Sequence, residues 1–133
     1  MAFLPDTNIW ISLLKNPGGY SKPRFSRNLS RRFFLCSVAK AKLRHGAEEY
    51  GNRERRQRAL EMLFAPFTSL PFDDAAARRY AAIRHHLEVQ GRVMGPNDLK
   101  FAAIALSQGL TLVSADQQFS RVPGLSLLDW TSG

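Results

Sequence analysis

Three aspartates occupy positions from which they could act on a phosphate ester. Asp6 follows the short apolar run Ala2–Pro5. Asp98 falls in the first turn of a segment opened by Gly95-Pro96-Asn97. Asp116 follows Leu110–Val113, after Ser114 and Ala115. Carboxylates gathered at one place repel each other unless a cation neutralises them. Oxygen ligands without Cys or His partners select Mg²⁺ or Mn²⁺. Such an ion binds a phosphate oxygen, activates water and stabilises an in-line displacement. Each aspartate also has a plainer reading: Asp6 as a helix cap, Asp98 as a partner of a helix dipole, Asp116 as a turn residue. The metal reading rests on all three converging.

Convergence requires a particular set of elements. Ala2–Pro5, Phe33–Cys36, Thr68–Leu70, Leu110–Val113 and Leu125–Leu128 read as short strands. Pro5 lacks a ladder donor and suits the last residue of its strand. Helices are expected at Thr7–Lys15, from Ser37 as N-cap to about Tyr50, at Arg53–Phe64, opening at Phe72-Asp73-Asp74 and running to about Gln90, and from Asn97 to about Gln108. Asn16-Pro17-Gly18-Gly19 stops the first, Gly91 and Gly109 the last two. Phe119 lies in a short turn or helix. Strands alternating with helices predict one α/β domain over residues 1–133, a short, mostly parallel central sheet flanked by helices. Its functional crevice lies beyond the carboxyl ends of the strands.

Bulk properties narrow the class. The chain has 133 residues, with 19 Lys and Arg against 11 Asp and Glu, a formal net charge of +8. That balance suits a polyanionic partner, nucleic acid above all. The single Cys36 rules out an internal disulfide and a cysteine metal cluster. No apolar run approaches the ~20 residues that span a bilayer. The first residues lack the basic and long apolar regions of a signal peptide, so a cytoplasmic protein away from membranes is expected.

Several segments, in order and at their spacing, resemble the VapC-like toxins of the PIN-domain ribonuclease family. They are Asp6-Thr7-Asn8-Ile9, Ser37 to Gly46 with Ala47-Glu48, Leu70-Pro71-Phe72-Asp73, Gly95-Pro96-Asn97-Asp98-Leu99, Leu112-Val113-Ser114-Ala115-Asp116 and Val122-Pro123-Gly124-Leu125. The resemblance covers nearly the whole chain. It implies a Mg²⁺- or Mn²⁺-dependent endoribonuclease that cleaves structured RNA, with tRNA the suggested target. It also implies a homodimer, held inactive by a VapB-like antitoxin, and a larger assembly that binds operator DNA through the antitoxin. By this likeness Asp6, Asp98 and Asp116 are the catalytic and metal-binding acids, and Ser114 is the hydroxyl residue beside them.

One position departs from the family pattern. The helix after the second strand would read roughly Ser-x-x-x-Ala-Glu-Leu; here it reads Ser37-Val38-Ala39-Lys40-Ala41-Lys42-Leu43. Lys42 replaces the site glutamate, a change of two charge units within the cluster. An ammonium at about 4 Å from a carboxylate gains several kcal/mol at intermediate dielectric, so Lys42 would pair with Asp6 or Asp98 and compete with the metal. Glu48 lies on another helix face, and Glu49 about 10 Å further along the axis. The expected result is a weakly active or inactive chain. Two alternatives stand beside the nuclease: a catalytically dead domain that binds antitoxin and regulates its operon, and a receiver-type phosphotransfer domain. Against the receiver, Thr68-Ser69-Leu70 runs into Pro71-Phe72-Asp73 rather than into a phosphoacceptor.

Other residues suit RNA or a partner. Arg24, Arg27 and Arg31 recur at helical spacing, and Arg53, Arg55, Arg56 and Arg58 form a second basic group. Both sets read either as phosphate contacts or as solvated faces. Trp10, Leu13, Leu14, Leu60, Leu63 and Phe64 read either as core or as the lining of a groove for an antitoxin helix. His45, His85 and His86 show no metal spacing and read as surface or interface residues; Phe67, Phe72 and Tyr80 read as core.

Overall fold

The structure is a computed structural model that describes residues 2–15, 32–49 and 51–129. Its strands are β1 (Phe3–Pro5), β2 (Phe34–Cys36), β3 (Thr68–Leu70), β4 (Thr111–Val113) and β5 (Leu127–Leu128). Its helices are α1 (Thr7–Lys15), α2 (Ser37–Glu49), α3 (Arg53–Phe64), α4 (Asp74–Val89) and α5 (Pro96–Gln108), with a 3₁₀ turn at Gln117–Arg121. β1 pairs with β4, β4 with β5 and β2 with β3, all parallel. A parallel bridge from Phe3 to Phe33 joins the two ladders, giving the order β3-β2-β1-β4-β5. From β1 the chain builds outward one way through β2 and β3, and the other way through β4 and β5. The switch point therefore lies between β1 and β4, where a ligand crevice opens in such sheets.

The strands are three residues long or shorter, so the sheet holds only because both faces are covered. Leu4, Leu35, Leu112 and Val113 are fully buried within it. α5 is the central helix. Leu99 and the run Phe101 to Ala105 are buried almost all round, with α4 packed along it. Pro96 in its first turn is preset for a helix start, and Gly109 at φ 66° takes the left-handed cap that closes its end. Trp10 is fully enclosed: its indole N–H donates to Pro5 O at 3.0 Å and its ring meets Phe67 edge-on. Pro5 ends β1 as its missing donor requires, and the next residue, Asp6, resumes the ladder by donating to Val113 O at 2.9 Å.

Two local readings change. Ser37 is the first residue of α2 rather than its cap. The sulfur of buried Cys36 takes that role, accepting from the amides of Val38 and Ala39. Burial outweighs those bonds and pushes the Cys36 thiol up to about 11. Trp10 and Phe64 are enclosed in the core rather than lining a groove, and Leu60, 4% exposed, packs there while also walling a hollow between α1, α2 and α3. Leu13 and Leu63 are half-buried against the same core, and Leu14 alone of the six is exposed. Among the described residues, no helix is long and apolar enough to cross a membrane.

Candidate active site

Asp6 leaves β1 at the switch point and does two local jobs there. Its Oδ1 accepts from the Ile9 amide at 3.1 Å, which caps the start of α1. Its Oδ2 accepts from the Ser114 hydroxyl at 2.5 Å, across the ends of β1 and β4. Ser114 Oγ in turn accepts from the Asp116 amide at 3.0 Å. Asp116 caps the 3₁₀ turn: Oδ1 accepts from the Gln118 amide at 3.0 Å and Oδ2 from its side-chain nitrogen at 3.3 Å. The plainer readings of Asp6 and Asp116 as caps thus hold together with their convergence. Asp98 comes from the first turn of α5, half-buried.

The electrostatics tie the three together. Burial, first of all, raises the Asp6 carboxyl above its ordinary value. The bonds from Ser114 and Ile9 pull it back, and the charges of Asp98 and Asp116 raise it again. Burial also raises Asp98; Lys42 lowers it and Asp116 raises it. Every pair of the three aspartates is thus close enough for mutual repulsion to count. Lys42 is an exposed residue of α2 whose charge reaches Asp98. It makes no ion pair within 4.0 Å among the described residues. The direct pairing with Asp6 or Asp98 that the sequence suggests is therefore a longer-range attraction, and it falls on Asp98.

Glu48 and Glu49 do not take over. Glu48 pairs with Arg53 of α3, and Glu49 with His45 at 3.3 Å on the exposed side of α2. The donor chemistry suits a hard divalent ion, since the three acids offer only oxygens and raise one another's pKa. Thr7 Oγ1, next to Asp6 in the chain, is buried with no hydrogen-bond partner. Yet among the described residues no three Asp, Glu, His or Cys side chains are grouped to hold one ion. Each oxygen of Asp6 and of Asp116 accepts one hydrogen bond, and the charge of Lys42 acts on Asp98. As it stands, the centre does not fit a divalent ion.

Three hollows surround this centre. One of about 470 Å³ lies between α1, α2 and α3, walled by Ile11, Leu14, Leu43, Ala47 and Leu60, with Lys42 on its rim. A second, about 450 Å³, lies on the other side of Lys42 and is walled by Ser37, His45, Phe72, Asn97 and Lys100. The third, about 640 Å³, is walled by Asp116, Gln117, Arg92 and Arg121. Arg24, Arg27 and Arg31 lie outside the described residues. Arg53 is held by Glu48, and the Arg56 side chain donates to Gly51 O at 2.9 Å, both on an exposed face. His85 is exposed and His86 contacts Gln90 at 3.1 Å. The sequence reading missed Gln118, which fixes Asp116, and the basic residues Lys100, Arg92 and Arg121. An aspartate two residues before a glutamine at a turn signals the first; isolated basic residues carry no signal for the others.

Comparison with known proteins gives the lineage. The PIN domain family model matches residues 3–125. A tRNA(fMet)-specific endonuclease VapC from Shigella flexneri is 36% identical over 132 residues, covering 98% of this chain and 99% of that one. The DNA-bound VapBC structure from Salmonella typhimurium superposes with a TM-score of 0.92 at 32% identity, covering 98% of each chain. VapBC2 from Rickettsia felis, bound to a DNA fragment from its promoter, superposes at 0.88 with 26% identity, over 98% of this chain and 99% of that one. Five strands in a parallel sheet, a carboxylate centre at its switch point and these matches agree, and the chain belongs to the PIN domain family, among its VapC proteins.

Proposed function

We propose that this chain is the ribonuclease toxin of a VapBC-type toxin–antitoxin pair, with cleavage weak or absent because Lys42 stands where the family places a glutamate. The observation that carries the second half is electrostatic. Three aspartates repel one another, and the cation that relieves Asp98 is part of the protein. In this reading Asp6, Asp98 and Asp116 are the acids that would hold Mg²⁺ or Mn²⁺, and Ser114 orients Asp6. In the family pattern, with a glutamate in place of Lys42, such an ion would activate water against a phosphodiester. Lys42 opposes its entry by charge and supplies no oxygen in the glutamate's place.

The substrate is proposed to be a structured RNA, with initiator tRNA suggested by the name of the Shigella relative. The partner is proposed to be a VapB-like antitoxin, in a homodimer-based assembly that reaches operator DNA through the antitoxin; the VapBC complexes from Rickettsia felis and Salmonella typhimurium are DNA-bound. A cytoplasmic location accords with this partner. A second reading, a dead domain that only holds antitoxin and regulates the operon, is favoured by the apolar hollow between α1, α2 and α3. Cleavage of tRNA in the presence of Mn²⁺ separates the two. The Lys42→Glu variant is expected to gain roughly 100-fold, the size of effect that groups supporting a metal site carry. Equal strong activity in both proteins overturns the claim for Lys42. No cleavage by either leaves the antitoxin-holding reading.

A further inference from the structure

We propose that a single RNA strand crosses the carboxylate centre from the hollow beside Phe72 and Lys100 to the hollow beside Arg92 and Arg121. The inference rests on the ribonuclease reading and deepens it by naming the path of the substrate. Each hollow borders the centre through one or two residues. Asn97, the neighbour of Asp98, lines one, and Asp116 itself lines the other. At about 450 and 640 Å³ each is of the size of an ordinary small-ligand site.

Charge complementarity decides the occupant. The centre itself carries three carboxylates and repels a phosphodiester. A polyanion passing over it needs cations beside it, and both hollows supply them. Lys42 and Lys100 wall the first hollow, with His45 and no acid among its lining residues. Arg92 and Arg121 wall the second, where Asp116 is the only acid.

The two hollows differ in what else they offer. The first contains the Phe72 ring, half-buried and held in place on two sides: Lys100 Nζ lies 5.8 Å from its centroid and Tyr80 meets it edge-on at 5.8 Å. A fixed aromatic beside cations is the arrangement that takes an unstacked base. The second hollow has no aromatic wall; it has guanidiniums and the Gln117 amide, which suit phosphate oxygens. A base therefore packs against Phe72, and the backbone in the second hollow is gripped by Arg92 and Arg121. A paired base cannot reach Phe72 in this way, so the strand must be locally single.

The test is binding of a fluorescein-labelled single-stranded RNA oligonucleotide to the full chain, by anisotropy, in EDTA and across a salt series. Lys100→Gln and Arg121→Gln are each expected to reduce the slope of log affinity against log salt by about 0.7, the loss of one single-strand phosphate contact. The double variant loses the sum, because the two hollows share no residue. Phe72→Leu is expected to weaken binding roughly tenfold with the slope unchanged, the signature of a lost stacking contact. Wild-type binding with slopes unaltered in Lys100→Gln and Arg121→Gln overturns the path and leaves the ribonuclease reading intact. Absence of any RNA binding by the wild-type chain overturns both.

Discussion

One helix, α2, serves two regions that treat charge in opposite ways. On its inner side Lys42 faces a centre of like charges set at strand and helix ends. On the side toward α3, Arg44 and Glu48 meet opposite charges in the open. Arg44 binds Glu61 at 2.6 Å and Gln57 at 3.0 Å, and its guanidinium lies 5.3 Å from the Phe64 ring. The pKa directions follow. Asp6 and Asp98 are raised, chiefly by burial. Glu48 is lowered, chiefly by its bond from Arg53. The region toward α3 is arranged for its own stability. The inner region carries a cost that the other does not, as sites built for chemistry commonly do.

The sharpest way to break this contrast is at Ser114. Ser114→Ala removes the hydroxyl that Asp6 Oδ2 accepts from, and leaves a buried carboxylate oxygen with one partner fewer. A loss of about 2 kcal/mol in chemical denaturation is expected, the scale of a buried hydrogen bond to a charged group. A neutral result means the bond from Ser114 contributes little and the contrast is overstated.

Lys42→Glu adds a fourth anion beside Asp98. A loss of about 1 kcal/mol is expected without metal, and Mn²⁺ should reverse it by binding the folded state. Thermal melts with and without Mn²⁺ check both halves.

The two regions should also answer acid with opposite signs. Asp98 has a folded pKa above its ordinary 3.8. Its contribution is full below that value and is lost as pH rises through the folded pKa. Asp98→Asn should therefore melt higher than wild type at neutral pH, with the gap closing below about pH 4. Glu48 has a folded pKa below its ordinary 4.5. Its contribution is full above that value and is lost as pH falls through the folded pKa. Glu48→Gln should melt slightly lower at neutral pH, with that gap also closing in acid. Parallel signs in the two melting series would erase the distinction.

The smallest effect is expected at Arg44. Arg44→Ala should cost under about 1 kcal/mol, since its partners are exposed. A cost above that of Ser114→Ala would mean the packing of α2 on α3, rather than the carboxylate centre, is the more demanding region.

The elements were legible because periodicity and punctuation agree. Gly109 and Pro96 bracket α5 within a residue, and Thr7–Lys15 and Arg53–Phe64 match the apolar pattern to the residue. Asp6, Asp98 and Asp116 were legible because each directly follows a strand or opens a helix, and topology brings those ends together. Side-chain direction was not legible. Trp10 and Leu60 satisfy a helical stripe equally well whether it faces a core or a groove, and only the packing of α1, α2 and α3 decides. The Cys36 sulfur as a cap was missed because Ser37 carries the stronger local signal. Lys100 and Arg121 gave none, since a lone cation near a helix or turn is ordinary, and its meaning comes from the hollow it borders.

The bond from Ser114 to Asp6 spans 108 residues of sequence. It joins the first strand made during synthesis to the fourth, near the end of the chain. No nascent chain that stops before Thr111 can form it, however well its helices fold, because β4 is the strand that aligns Ser114 and Asp116 with Asp6. The carboxylate centre therefore cannot assemble until β4 has been made. A ribosome that has not reached Thr111 carries a chain without its carboxylate centre, however complete its helices.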